Sequence, residues 1–338
     1  MFDINLWKTY DRSMSCTLEE ATTLYLRWRL DEGFSRNTVR NDRSGLGFLQ
    51  QVARPESLVS SLDRTVVREA LELAASKRSP ASVNAVHATL SAFFKWCRVM
   101  HYAPADHDPL LGIRYRKVGK KDYPRLGSHE FTPFLQAAQN PRDRMLAALG
   151  IYLFLRGSEA VSLRVRDVKL DSGTIGVTVY KTHDYDIMPI SSELDAELRR
   201  WLQHYQQQCG PLQPDWYLVP AYQAKRFDPQ LEPTHKISKP EEPIKRTLTA
   251  YGWTDTYWTG CHLLRRSGAR EWFEELSEHA IDSALRIVSA HLHHSSLAMT
   301  ERYLGITADR AKRDRLLKGE QMFPSVAETN VVHLRRAQ

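Results

Sequence analysis

Four short stretches carry side chains able to handle a phosphate. Arg156 stands in LFLRGSEA (153–160), with three apolar residues just before it and Glu159 three positions after it. A guanidinium among such neighbours is costly to bury unless it meets a carboxylate or lines a pocket for an anion. Glu159 can hold it across one helical turn, and by itself the pair reads equally well as an internal ion pair with no further role. His262 and Arg265, in CHLLRRSGAREWFEEL (261–276), lie one turn apart and converge on one spot. In HLHHSSLAMTERYL (291–304), Ser295 and Ser296 are good N-cap residues, and Leu297, Thr300 and Leu304 follow at helical spacing. Tyr303 ends that pattern, where a tyrosine alone is a half-buried packing residue. Lys181 lies in the turn KTHD between two apolar runs, an ordinary place for a solvated lysine. Together the other stretches supply the partners a tyrosine nucleophile needs.

These residues need a scaffold, and 338 residues at 42% hydrophobic content suffice for two domains with separate cores. Lys and Arg number 47 against 40 Asp and Glu, a formal +7 that favours a polyanionic partner. The cysteines Cys16, Cys97, Cys209 and Cys261 form no CxxC pair, so reduced thiols in a cytoplasmic protein are expected. No apolar run has membrane-spanning length, and there is no phosphate loop of the GxxxxGK type.

Residues 1–14 form a short N-terminal arm, and residues 15–104 a four-helix domain. Its helices begin at Thr17, at Ser35 or Asn37, at Asp63 and at Ser79, with Pro80 in the first helical position of the last. Gly33 closes the first helix. Its exposed cations include Arg27, Arg36, Arg40, Arg43, Lys77 and Arg78, suited to a solvated face or to DNA. Residues 105–122 form a basic linker with Arg114, Arg116, Lys117, Lys120 and Lys121, a suitable strap along a phosphate backbone. The second domain, 123–318, opens with helices capped by Ser128 and by Pro141 or Asp143. An apolar helix over 153–170, interrupted at Arg156 and Gly157, comes next. A hairpin spans 175–190 with Lys181 at its tip. After one more helix, residues 211–243 form a long surface loop around a short strand at 216–219. Helix signals return from Ile244, and residues 319–338 are a flexible tail. The fold class is mostly α with a small antiparallel β-sheet.

Three of these stretches resemble the signature boxes of the tyrosine recombinase, or phage integrase, family: LRGSEAxxLxxxDV at 155–168, HLLR at 262–265 and LHHSSLAMTERYL at 292–304. A fourth, VYKTH…IMPI at 179–190, is similar to the family's hairpin lysine. The four-helix domain resembles the family's SAM-like core-binding domain, followed by an α+β catalytic domain. The resemblance implies a site-specific DNA recombinase. Tyr303 would attack a scissile phosphate to give a 3′-phosphotyrosyl link and a free 5′-hydroxyl. Arg156 and Arg265 would grip the non-bridging oxygens, His294 would hydrogen-bond the same phosphate and Lys181 would protonate the leaving oxygen. His262 would assist proton transfer, and Glu159 would orient Arg156. Fixed guanidiniums answer the charge that gathers in the transition state, and a phenol with a pKa near ~10 needs both that field and a proton acceptor. The covalent link conserves bond energy, so no ATP, metal or cofactor is implied.

Two features depart from the family pattern. His293 stands where the family usually has Gly before the phosphate-binding His, so His293 competes with His294 for that role and a left-handed backbone there is less comfortable. The span from Arg265 to His294 is also longer, with the extra residues at 276–284. The partners implied are double-stranded DNA and a homotetramer acting through a Holliday junction, with residues 306–323 docking on a neighbouring subunit. Two other functions stay open: a DNA-binding protein of the same fold that no longer cuts, and a metal hydrolase using His262, His291, His293 and His294.

Overall fold

Capping side chains place the first four helices. Thr17 starts α1 (Leu18–Asp31) in a capping box with Glu20, Ser35 caps α2 (Arg36–Val52), and Asp63 caps α3 (Arg64–Lys77). Ser79 caps α4 (Pro80–Val99), with Pro80 at the first turn. The computed structural model describes residues 16–119, 123–179, 184–223, 230–255, 260–277 and 281–305. It divides into two units, 1–120 and 121–338.

The first unit closes over Leu18, Tyr25, Leu46, Phe93 and Phe94, with Tyr25 edge-on to Phe93 at 5.5 Å. Its one buried carboxylate among these helices, Asp42, accepts from Arg29 at 2.9 Å and from Thr89 at 3.1 Å. The basic linker is, as far as Arg116, docked on this unit. Asn84 clamps the Arg116 backbone from both sides, at 2.9 and 2.8 Å, and the Arg116 guanidinium meets Glu72 at 2.7 Å. The described part of the linker up to Arg116 is thus attached to this unit. Local polar partners in α3 and α4 hold its first part.

The second unit is built on α6 (Pro141–Tyr152), capped by Asn140 and buried along most of its length. Ahead of it, α5 (Ser128–Gln136) is capped by Gly127 rather than Ser128, because the Glu130 carboxylate accepts the Gly127 N–H at 2.8 Å. The helix expected over 153–170 is absent. Leu153, Phe154 and Leu155 are buried, Phe154 turns left-handed (φ 51°), and only the short α7 (Gly157–Ala160) and a single 3-10 turn at Val165–Asp167 are helical. Burial of three successive apolar side chains, on more than one side of the chain, overrides the helical pattern there.

An antiparallel sheet follows in the order β1-β2-β3: β1 (Val168–Lys169), β2 (Thr174–Val179) and β3 (Asp184–Pro189), with Val177 opposite Asp186. Then come α8 (Ser192–Cys209) and a second hairpin, β4 (Pro220–Tyr222) with β5 (Leu231–Lys236). This corrects the surface loop expected at 211–243. Leu218 and Val219 are fully buried, and the paired strand begins at Pro220, not Trp216.

The chain ends, as described, in α9 (Glu241–Tyr251), α10 (Cys261–Ser277), α11 (Ile281–His291) and α12 (Leu297–Leu304). At Gly268 a side chain would collide with the Ile151 carbonyl, so this glycine is what lets α10 lie close against α6. The fold is mostly α with small antiparallel sheets. All four cysteines are free. Among the described residues no helix is long and apolar enough to cross a membrane.

Candidate active site

Glu159 is the keystone. The left-handed Phe154 turns the chain out of α6, and Arg156 becomes the residue before α7 in extended backbone. Glu159, in the first turn, reaches back and accepts the Arg156 backbone N–H at 2.8 Å and its guanidinium at 2.7 Å. The same carboxylate lies 3.7 Å from the Arg265 guanidinium. Glu159 is 3% exposed and Arg265 2%, so one buried negative charge stands between two guanidiniums. An excess of positive charge is left over, which an anion can meet.

Arg265 is fixed by more than Glu159. It donates to the Phe154 carbonyl and, at 2.7 Å, to the Leu292 carbonyl. Phe154 and His293, the residue after Leu292, are two of the three non-glycine residues with positive φ among those described. Both strained turns thus present a carbonyl to one guanidinium, and that binding holds two otherwise unfavourable backbones in place. His262 lies one turn earlier, where the Glu241 carboxylate accepts the Cys261 N–H at 2.7 Å and so caps α10. The His262 ring stays open to solvent on one side. The protein around its base pushes its pKa down, Glu241 opposes, and Arg265, Arg156 and Arg266 add to the fall. At neutral pH it is an uncharged imidazole, able to accept a proton.

The three histidines after α10 part company. His291 ends α11 wedged against Phe154 (4.8 Å) and Trp272 (5.2 Å). His293 (φ 52°) turns away, its Nε2 meeting Asp186 of β3 at 2.9 Å. His294 faces the arginine site, with Nδ1 3.0 Å from the Thr300 hydroxyl. Thr300 donates to Ser289 at 2.9 Å, so its oxygen is placed to accept from Nδ1 of His294. Of the two adjacent histidines, it is His294 that lies beside Tyr303. Among the described residues no group of three or more His, Cys, Asp or Glu could hold a metal ion.

Tyr303 completes the arrangement. Ser296 caps α12, and left-handed Gly305 ends it. Arg270 donates to the Leu304 carbonyl at 2.9 Å and pairs with Glu274, which also binds Arg125. The Tyr303 ring stands edge-on to His294 at 5.4 Å, with the guanidinium carbons of Arg265 and Arg266 at 6.0 and 5.5 Å from its centre. Its hydroxyl is buried without a hydrogen bond of standard geometry among the described residues. Burial raises its pKa, and Arg265, Arg266 and Arg156 pull against that rise.

The second unit thus brings together Arg156, Glu159, Arg265, His294 and Tyr303, with His262 one turn from Arg265. Lys181, Lys120, Lys121 and residues 306–323 lie outside the described residues. In the first unit, Arg36, Arg40 and Arg43 are exposed on α2, Arg114 and Lys117 are exposed in the connector, and Arg116 is paired with Glu72. Lys77 reaches Gln51, and Arg78 donates to Ser44 and lies over Phe48. Sequence reasoning assigned no part in the site to Arg266, Arg270, Thr300 and Asp186. For the two arginines the available signal was the small residues Ser267, Gly268 and Ala269, which mark the stretch 263–270 as buried, so that the arginines within it must face inward.

The phage integrase family model matches residues 124–310. A tyrosine recombinase of Pseudothermotoga lettingae is 25% identical over 233 residues, covering 68% of this chain and 72% of the relative. The tyrosine recombinase XerA of Pyrococcus furiosus is 26% identical over 284 residues, 83% and 87% of the two chains. The fold is that of a lambda integrase dimer bound to a COC′ core site, with a TM-score of 0.67 at 16% identity over 90% of this chain and 81% of that one. XerH site-specific recombinase bound to palindromic difH substrate gives 0.63 at 16% identity, over 90% and 96%. With the family model spanning more than half of its length, the chain belongs to the phage integrase family and is a tyrosine recombinase, an enzyme of site-specific recombination.

Proposed function

We propose that Tyr303 cleaves a DNA strand at a specific double-stranded site and holds it as a 3′-phosphotyrosyl intermediate. The Tyr303 oxygen bonds to phosphorus as the bond to the 5′-oxygen breaks. The phenol proton leaves to His262, directly or through water, and Lys181 gives a proton to the departing 5′-oxygen. Arg156 and Arg265 take the charge that collects on the non-bridging oxygens, and His294 donates to the same phosphate. Glu159 keeps the two guanidiniums parallel in purpose by holding both. A free 5′-hydroxyl from the partner duplex then reverses the step, so that strands exchange through a Holliday junction within a homotetramer. Residues 306–323 are assigned to docking between neighbouring subunits, and Arg36, Arg40, Arg43 and the linker cations to the phosphate backbone. The setting is cytoplasmic DNA, with the protein nucleoid-associated.

What supports this most is a single observation: one buried carboxylate, Glu159, holds two guanidiniums while the Tyr303 ring faces the second of them. The test is covalent capture. The full chain is incubated with nicked fragments of host and element DNA, denatured, and the protein-linked fragments sequenced. Adducts at one recurring sequence are expected from the wild type and none from Tyr303→Phe. Absence of any wild-type adduct, with DNA binding retained, leaves a DNA-binding protein of this fold that does not cut. An adduct from Tyr303→Phe overturns the assignment of the nucleophile.

A further inference from the structure

Arg266 follows Arg265 on α10 and points elsewhere. It is 8% exposed, and its guanidinium lies over the Tyr123 ring at 4.2 Å and 5.5 Å from the centre of the Tyr303 ring. The family box HLLR ends at Arg265, so the resemblance assigns Arg266 nothing. Resting on Tyr303 as nucleophile, we propose that Arg266 is a positioning residue for it: a third guanidinium, held by Tyr123, that steadies the Tyr303 ring and favours its ionised form over the phenol.

The physics follows from where the charges stand. A cation beside a tyrosine gains a modest attraction to the neutral ring and a larger one to the phenolate, and little solvent remains to screen either. Guanidinium tolerates this setting better than ammonium, since it is planar, weakly hydrated and stacks on a ring face. Tyr123 supplies that face, 4.2 Å from the guanidinium carbon. Among the described residues, the charged and titratable groups that act on or face Tyr303 are Arg265 and Arg266 from α10, Arg156 from the turn before α7, and His294 from the loop before α12. Arg156 and Arg265 share the Glu159 carboxylate. Burial raises the Tyr303 pKa, and Arg266 is among the groups that oppose the rise. Arg156 and Arg265 are also committed to the phosphate in the proposed reaction, whose negative charge offsets theirs. Arg266 is set against the ring.

The experiment compares wild type with Arg266→Met and Arg266→Lys, measuring the rate of adduct formation on a captured nicked site from pH 6 to 10. Binding is measured separately in a Tyr303→Phe background. Arg266→Met is expected to bind within a few-fold of normal, to cleave about tenfold more slowly at neutral pH and to move the rising limb of the profile up by about one unit. Arg266→Lys is expected to fall between the two. Replacing Tyr303 with a fluorinated tyrosine, whose phenol is more acidic, is expected to rescue Arg266→Met more than it helps the wild type. A packing role would not produce that rescue. An unshifted profile in Arg266→Met overturns the proposal, as does a rate loss that the acidic phenol leaves untouched. Failure of the wild type itself to form an adduct is a different result and falls on Tyr303 as nucleophile.

Discussion

At the scale of single residues, two adjacent histidines divide the work by backbone geometry. His293 takes the left-handed turn, a conformation histidine tolerates better than most side chains, and its ring is drawn off to Asp186. His294 is then aimed at the site, with Nδ1 tied to Thr300 and its ring edge-on to Tyr303. Replacing His293 with glycine relieves an unfavourable φ while losing one partly exposed hydrogen bond, two terms each of about 1 kcal/mol and of opposite sign. His293→Gly is therefore expected to keep its melting temperature within a few degrees and its adduct formation within a few-fold. His294→Ala is expected to lose about a hundredfold or more in adduct formation, the usual worth of one preorganised donor to transition-state charge. Side-by-side rates on the captured site check both. A dead His293→Gly beside an active His294→Ala would reverse the assignment.

Among elements, the docking of α11 carries a pH dependence. His291 ends that helix between Phe154 and Trp272, its Nε2 buried without a hydrogen-bond partner among the described residues. Burial, and then His293, pushes its pKa down to about 4. The folded chain therefore resists a proton that the unfolded chain takes up below about pH 6.5. The sign is fixed: stability falls as pH drops from about 6.5 toward 4, and this contribution stops changing below that. The loss by pH 5 is on the order of 2 kcal/mol. Denaturant melts at pH 7 and pH 5 are expected to converge partly in His291→Phe. Equal losses in the two proteins would rule the mechanism out. The sequence did not announce this helix, whereas Ser35, Asp63, Ser79 and Ser296 each marked a helix start, because a cap is a local event between neighbours in the chain. The turn at Phe154 has no local signal. It exists because Leu153 and Leu155 are buried and because Arg265, far along the chain, binds the Phe154 carbonyl. The β4–β5 hairpin was hidden in the same way, by proline-rich composition that reads as loop until Leu218 and Val219 are seen in the core. Arg156, Glu159, His262, Arg265, His294 and Tyr303 could be named from their motifs, and they lie together in the structure. Arg266 and Arg270 could not, since their meaning depends on which elements pack against α10.

For the whole molecule, the formal charge of +7 matters through where it is exposed. Arg36, Arg40 and Arg43 stand out from α2 into solvent, and none of them forms an ion pair among the described residues. Arg116 differs, since Glu72 already holds it and DNA would have to draw it away. Each cation that neutralises a phosphate releases condensed counterions, so log affinity falls against log salt with a slope of about 0.9 per contact. Measured in a Tyr303→Phe background, so that only binding is read, Arg36→Ala/Arg40→Ala/Arg43→Ala is expected to flatten that slope by roughly 2 to 3. The loss should be similar on specific and unrelated duplexes, because phosphate contacts carry no sequence. Arg116→Ala is expected to change the slope by less than one of these three. Stability should hardly move, since all the side chains are exposed and away from the core. A triple variant with an unchanged slope would mean that this face of α2 is only solvated, and that the contacts to DNA lie on other cations of the chain.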